Sequence, residues 1–431
     1  MRFRNTILAL CLSGMAGTAS AYDLLDAWRA AREHDAGFAA ARAERDAGQE
    51  KAVQGRARLL PQIGLSGSIT RNNPIEPDMA SYTSRGYGVE LSQPVFDVGK
   101  FADYRRGQAG AALADIQYLA NEQQLIVDVS RAYFDVLLAQ DSLAATRASK
   151  KAYENQLAQA RAAFEVGTAT ITDTHEAQAG YDAAAAQEIV AQSNLEIARN
   201  ALARLTGLDP AGIQPLAERI ELVTAQGALE AWQARALDNS FDVRARAQEL
   251  ETARADLLAA RGNRLPTLEL NAGYRDNDSG MGPSPKTRAS SVGLTVTMPL
   301  FAGGGISSQI REAASRELAA RDRLEASRRQ VREDVRRAYL GVTNGAAYVR
   351  AQEQLLVSAR SKLESTRLGR EVGVRTNLDL LRAEQDYYDT VRSLAEARYN
   401  YLTARLQLLQ ATGELTEAGL AEVNRSLRQA G

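Results

Sequence analysis

Two short stretches of this 431-residue chain place hydroxyl and carboxylate side chains at a spacing with defined chemistry. FEVGTATITD at 164–173 and REVGVRTNLD at 370–379 each pass through a glycine, Gly167 or Gly373. Each then reaches a threonine followed three residues later by an aspartate, Thr170 with Asp173 and Thr376 with Asp379. A glycine suits the left-handed end of one helix, and Thr-x-x-Asp suits the capping box that starts the next. The chemistry is therefore the satisfaction of backbone groups at the tip of a helical hairpin, and not catalysis. Residue types that catalysis or metal binding needs are sparse. His34 and His175 stand alone, Cys11 is the single cysteine, and there is no nucleotide-binding or nucleophile motif. This argues against an enzyme, a cofactor or a metal centre.

The elements that hold these tips follow from proline placement. Prolines stand at 61, 74, 77, 94, 210, 215, 266, 283, 285 and 299, leaving Val95–Asp209 and Leu300–Gly431 free of them. An interior proline costs a helix about 3 kcal/mol, so two such exclusions rich in Ala, Leu, Gln, Glu and Arg predict long helices. The first, from about Val98 to Val166, would extend on the order of 100 Å at 1.5 Å per residue. Ile126, Val129, Tyr133, Val136 and Leu143 form one apolar series along it, and Val127, Phe134 and Leu138 a second. Two seams give a helix neighbours on both sides, as in a wall. Tyr133 and Tyr339 lie on such seams and read as packing residues. Gly107, Gly110 and the Gly303–Gly305 run are expected to loosen the strand-to-helix junctions.

The chain is written twice. LLPQIGLSGS matches RLPTLELNAG with Pro61 opposite Pro266, and QPVFDVGK matches MPLFAGGG with Pro94 opposite Pro299. SRAYFDV matches RRAYLGV, Thr206-Gly207 matches Thr412-Gly413, and Trp28 matches Trp232. A repeat this even is one structural unit used twice, here 22–226 and 227–431. Each unit contains two alternating segments, at about 62–72 and 86–96 and at about 267–276 and 290–300. Ile63, Leu65 and Ile69 alternate with Gln62, Ser66, Ser68 and Thr70; Leu268, Leu270, Ala272 and Tyr274 alternate with Glu269, Asn271 and Arg275. Alternation alone also suits a half-buried sheet in a soluble protein.

Context favours a membrane barrel. Residues 1–21 carry Arg2 and Arg4, an apolar run from Ile7 to about Leu12 and Ala19-Ser20-Ala21, the pattern of a cleaved export signal. Cleavage before Tyr22 would remove Cys11, a poor lipidation site behind Leu10, and leave no disulfide framework. Charged residues make up 24% and net charge is −1, a balance that does not point to nucleic acid. No stretch approaches the roughly 20 apolar residues of a membrane helix, so any crossing must use strands. Four strands cannot close a barrel, and open edges are not tolerated in lipid. Two chains would give eight strands and a filled interior, and three would give twelve and a lumen. Inward polar positions such as Ser66, Glu90, Glu269 and Thr295 favour the wet trimer.

With these features the sequence resembles the TolC family of outer-membrane exit ducts. The likeness runs from about Leu24 to Thr416 and rests on the duplicated strand-proline-helix pattern, the VGTATITD and VGVRTNLD tips and the EARYNYLTARLQLLQATGEL stretch near the end. The resemblance implies a mixed α and β membrane protein. It would be a homotrimer with a 12-stranded transmembrane β-barrel in the outer membrane of a Gram-negative bacterium and a long α-helical barrel in the periplasm. It implies type I protein secretion or small-molecule efflux, through docking on a periplasmic adaptor and an inner-membrane ABC or other transporter. A periplasmic coiled-coil adaptor is the rival reading; it would have one hairpin flanked by soluble β domains rather than two hairpins and two strand pairs.

The resemblance also names a gate. The family's second tip ties an arginine and a tyrosine to a Thr-Asp pair on the first, and two aspartates line the constriction. Gly373, Arg375, Thr376 and Asp379 keep that pattern, and Thr172 with Asp173 keeps the partner pair. Arg370 stands where the family has tyrosine, and Arg382 where it has the second aspartate. The implied latch pairs Asp173 with Arg375, and also with Arg370. Arg382 beside Asp379 partly neutralises the ring and weakens the case for cation blockade.

Overall fold

A computed structural model describes residues 22–75, 80–280 and 286–427; the export signal read at 1–21 lies outside them. Helices α1 (Leu24–His34) and α2 (Ala36–Ala57) lead into strands β1 (Gln62–Asn72) and β2 (Tyr82–Phe96), then α3 (Val98–Glu165) and α4 (Ile171–Thr206). After a linker come α5 (Leu229–Asn239), α6 (Phe241–Gly262), β3 (Thr267–Asp278), β4 (Lys286–Thr297), α7 (Gly305–Glu371), α8 (Asn377–Ala411) and α9 (Glu417–Asn424). At 68 and 67 residues, α3 and α7 each span on the order of 100 Å. Side-chain oxygens start the first-half helices, Asp35 accepting from Phe38 N at 2.7 Å and Asp97 from Lys100 N at 3.0 Å. The matching start of α7 has no such bond, and left-handed Gly303 and Gly304 make the turn instead.

At every height the chain is a slab four elements wide. The sheet order is β1-β2-β3-β4, all antiparallel. Below it α2 packs on α3, α3 on α6 and α6 on α7; further down α4 packs on α3, α3 on α8 and α8 on α7. The two seams of α3 are thus both used. One edge of the slab always comes from the first half (β1, α2, α4) and the other from the second (β4, α7, α7). Among the described residues α1 touches α4 and α5 touches α7, while Ile189, Val190 and Ile197 on α4 and Leu355 and Val357 on α7 stay exposed along the two edges.

Register sorts the sheet into two faces. Leu65 pairs with Val89 and Val89 with Tyr274, while Ile63 pairs with Leu91, Leu91 with Ala272 and Ala272 with Val292. The alternate rows carry Ser66, Glu90, Glu269, Asn271 and Thr295. Apolar side chains stand bare on one face, with Leu65 and Val292 each 78% exposed. β2 begins at Tyr82, four residues before the alternation becomes visible, because polar Thr83, Ser84 and Arg85 pair with Arg71, Thr70 and Ile69. β4 spans 286–297 rather than about 290–300, ending short of Pro299, which has no N–H to donate.

The core lies between the helices at mid-height, around Trp28, Tyr133, Phe134, Val335, Tyr401 and Leu406. Tyr133 is fully buried, and its hydroxyl donates to the shared carbonyls of Gln214 and Tyr22 (3.0 and 3.2 Å) and accepts from Gln214 N at 2.9 Å. It therefore pins the start of the chain and the linker to α3. Tyr133→Phe is expected to cost about 0.5–1.5 kcal/mol by removing the hydroxyl's bonds to part-buried backbone, since Gln214 N still donates to Tyr22 O at 3.1 Å. The readout is a lower temperature of oligomer dissociation in detergent, and an unchanged temperature would refute the role.

Gly107 and Gly110, expected to loosen a junction, lie instead inside α3 where α2 crosses closely. A Cβ at Gly107 would stand 2.3 Å from Lys51 O, and one at Gly48 2.3 Å from Ala114 Cβ. Gly107 is a seat for a neighbouring backbone, whereas Gly110 faces only the Lys51 side chain.

Candidate functional site: the hairpin tips

Both hairpins end in the same local structure. Gly167 (φ 77°) and Gly373 (φ 80°) take the left-handed conformation, where a β-carbon is strained. Thr168 N then donates to Ala163 O and Val374 N to Gly369 O, each at 2.8 Å. The capping boxes follow. Thr170 N and Oγ1 donate to Asp173 Oδ2 at 2.9 and 2.7 Å, and Asp173 N returns a bond to Thr170 Oγ1 at 3.2 Å. Thr376 and Asp379 repeat this at 3.1, 2.9 and 3.1 Å. Bonds from Thr170 hold the Asp173 carboxyl below its usual range, with a smaller contribution from the Arg370 charge. Bonds from Thr376 do the same for Asp379, helped by Arg375 and Arg382.

The candidate residues divide between inside and outside. Thr172, Arg375 and Arg382 are exposed, while Asp173, Arg370 and Asp379 are half-buried. Within one chain the cation acting on Asp173 is Arg370, whose Nη1 also donates to Gln159 Oε1 on the first hairpin at 3.0 Å. Among the described residues, no ion pair joins Asp173 to Arg375, and Arg375 and Arg382 make none. The two arginines are free to meet something outside the chain. Val166, Val372 and Val374, all more than 70% exposed, give the tips an apolar rim.

Above the tips lies a crevice of about 710 Å³ between the hairpins, lined by Lys151, Gln156, Gln159, Arg367, Arg370 and Glu384 among others. Gln156, Gln159, Arg367 and Glu384 belong to no motif. The one sequence signal is that Glu384 falls on the buried stripe of α8 marked by Leu380, Thr390, Leu394 and Tyr401. Among the described residues there is no cluster of metal-ligating side chains, and no helix is long and apolar enough to cross a membrane.

The profile of the family described as "Outer membrane efflux protein" matches residues 17–208 and 232–414. The chain is 34% identical to "Outer membrane protein TolC" of Vibrio cholerae, over 98% of this chain and 99% of that one. It is 36% identical to "Alkaline protease secretion protein AprF" of Pseudomonas aeruginosa, over 93% and 86%. Among solved structures it superimposes on the outer membrane protein VceC of Vibrio cholerae with a TM-score of 0.78, at 20% identity, over 90% and 96% of the two chains. These likenesses are to outer-membrane and secretion proteins and lend nothing to the adaptor reading.

Proposed function

The chain belongs to the outer membrane efflux protein family, as an exit duct of the outer membrane, and we propose that three copies join edge to edge around one conduit gated at the hairpin tips. The observation that carries the reading is the slab with open edges. β1 of one copy would continue the antiparallel sheet of the next through β4, and α2 and α4 would meet the neighbour's α7. The exposed apolar residues of those edge helices, Ile189, Val190 and Ile197 on α4 and Tyr348, Leu355 and Val357 on α7, would then be covered. Three copies of four strands make twelve, enough to keep a lumen between the polar faces.

The helical part, on the order of 100 Å long, suits reach from the outer membrane toward an inner-membrane transporter and its periplasmic adaptor. The secretion name of AprF supports protein cargo, and the family name supports efflux of smaller molecules. Comparing the secreted proteins and the drug susceptibility of a deletion strain separates the two.

At the entrance, Arg370 acts on Asp173 within the chain, and exposed Arg375 reaches the Thr172–Asp173 pair of an adjacent copy. Exposed ion pairs contribute about 0–1 kcal/mol each, so three together would shift the closed-to-open balance by at most roughly 3 kcal/mol. Arg375→Ser is expected to raise single-channel conductance in planar bilayers. Conductance equal to that of the wild type would remove the latch. Asp379 and Arg382, one turn apart on α8, place both signs in the constriction. Arg382→Asp is therefore expected to increase block by divalent cations, and an unchanged block would take Arg382 out of the pore.

A further inference from the structure

The two hairpins of one chain are joined, above their tips, by a buried acid. The Glu384 side chain on α8 is only 4% exposed. Its Oε2 accepts from Gln156 Nε2 on α3, in the other hairpin. Its Oε1 lies 3.5 Å from Arg367 Nη2 on α7, in its own hairpin. Gln156 is itself 4% exposed, and its amide oxygen is buried with no hydrogen-bond donor. Such an orphan acceptor costs about 1–3 kcal/mol. An ionised carboxylate has no proton to offer it, whereas a neutral carboxyl accepts with one oxygen and donates with the other.

We propose that Glu384 is a proton-operated clasp between the hairpins: as the neutral acid it joins Gln156 by two reciprocal hydrogen bonds, and as the carboxylate it belongs to Arg367, so the entrance is held more firmly as pH falls. The proposal rests on the reading of the tips as a gate.

Burial raises the Glu384 carboxyl above its ordinary value, outweighing Gln156, Arg367 and Arg370. The charged and titratable groups around it are Arg367, Arg370 and Glu371 from α7, Lys151 and Tyr153 from α3, and Tyr388 from α8. Burial pushes both tyrosines up, which keeps them neutral through the relevant range. The sign follows from linkage. A carboxyl whose value is raised in the closed state and ordinary once the hairpins part favours closure fully below its ordinary value. That preference is lost as pH rises through the raised value. Each unit between the two values changes the closed-to-open ratio tenfold.

The test records full-length protein in planar bilayers between roughly pH 4.5 and 8, a range set by a carboxyl raised from its ordinary value. Wild-type open occupancy is expected to rise with pH, by up to tenfold per unit of that difference. Glu384→Gln mimics the neutral acid, since its amide both gives and takes a bond with Gln156. It is expected to hold occupancy low and flat. Gln156→Leu removes the reciprocal partner and should raise occupancy at low pH above that of the wild type. The exchange of Glu384→Gln with Gln156→Glu keeps one acid and one amide across the contact and should restore the slope, which a merely misassembled channel would not. A Glu384→Gln channel with the wild-type pH response overturns the clasp, as does an exchange variant that assembles without it. Arg375→Ser, run in parallel, separates the two readings. If it opens the channel while Glu384→Gln responds as wild type, the gate stands and the clasp falls; if it changes nothing, the latch reading falls independently of the pH series.

Discussion

Val292→Arg is expected to abolish the assembled outer-membrane form, the largest effect of a single surface substitution in this chain. Val292 sits near the middle of β4, opposite Ala272, and is 78% exposed on the apolar face. In water an exposed valine is unremarkable, and arginine in its place would be almost neutral. In lipid, arginine at the midplane of a barrel costs about 2–4 kcal/mol per copy, and over the proposed trimer the penalty would be roughly 6–12 kcal/mol. The control is the preceding residue. Ser291 pairs with Gly273 on the polar face, so Ser291→Arg would point into the wet interior and be tolerated. The measurement is heat-modifiable oligomer in outer-membrane fractions. Loss for Val292→Arg with retention for Ser291→Arg identifies which face meets lipid, and the opposite pattern would turn the barrel inside out.

The same face shows why much of the fold was readable from the residues. A strand writes its two environments into alternate positions, a proline marks where a helix cannot be, and a hairpin tip is built from residues within ten positions of each other. Gly167, Thr170 and Asp173, like Gly373, Thr376 and Asp379, do locally what their types dictate, so their geometry was legible without the fold. What a residue meets across the fold was not. Glu384 falls on the helix stripe that carries Leu380, Thr390 and Leu394, which marks it as facing inward, but only the three-dimensional packing brings it to Gln156, which lies 228 positions away. The first turn of β2 was hidden because its residues are polar on both faces. Arg375 was singled out by resemblance, and one chain leaves it exposed. Its proposed role needs a surface that only a neighbouring copy would supply.

Duplication explains both the economy and the division of labour. One unit written twice gives a slab whose left edge comes from the first copy and right edge from the second, so identical chains can follow one another around a ring. The copies then differ where they meet different neighbours. Asp97 fixes the start of α3 by a side-chain bond, whereas α7 starts from left-handed Gly304 without one. Part-buried contacts between the hairpins, such as the hydroxyl of Tyr399 donating to Asp141 at 2.8 Å, have no counterpart that the repeat alone could specify.

Gly107→Val is expected to be the most damaging change in the helical wall. α2 approaches α3 so closely that a Cβ at 107 would lie 2.3 Å from the Lys51 carbonyl oxygen, 3.1 Å from its carbonyl carbon and 3.3 Å from Gly55 Cα. A flexible side chain could swing aside, but this obstacle is backbone within a continuous helix. The whole of α2 would have to lift, opening the close contacts of Gly48 with Ala114 and of Gly55 with Asp103 and Tyr104. Overpacking of this kind costs about 1–3 kcal/mol and sometimes more, against which a β-branched side chain in mid-helix offers no gain. In the proposed ring the effect would be multiplied, because α2 forms one edge of every copy. Gly107→Ala should fall between wild type and Gly107→Val in the temperature at which the detergent-purified oligomer dissociates. Gly110→Ala, whose new Cβ would meet only the flexible Lys51 side chain at 3.1 Å, should change it little. Equal effects at 107 and 110 would mean that helix propensity, and not the close crossing of α2, governs these glycines.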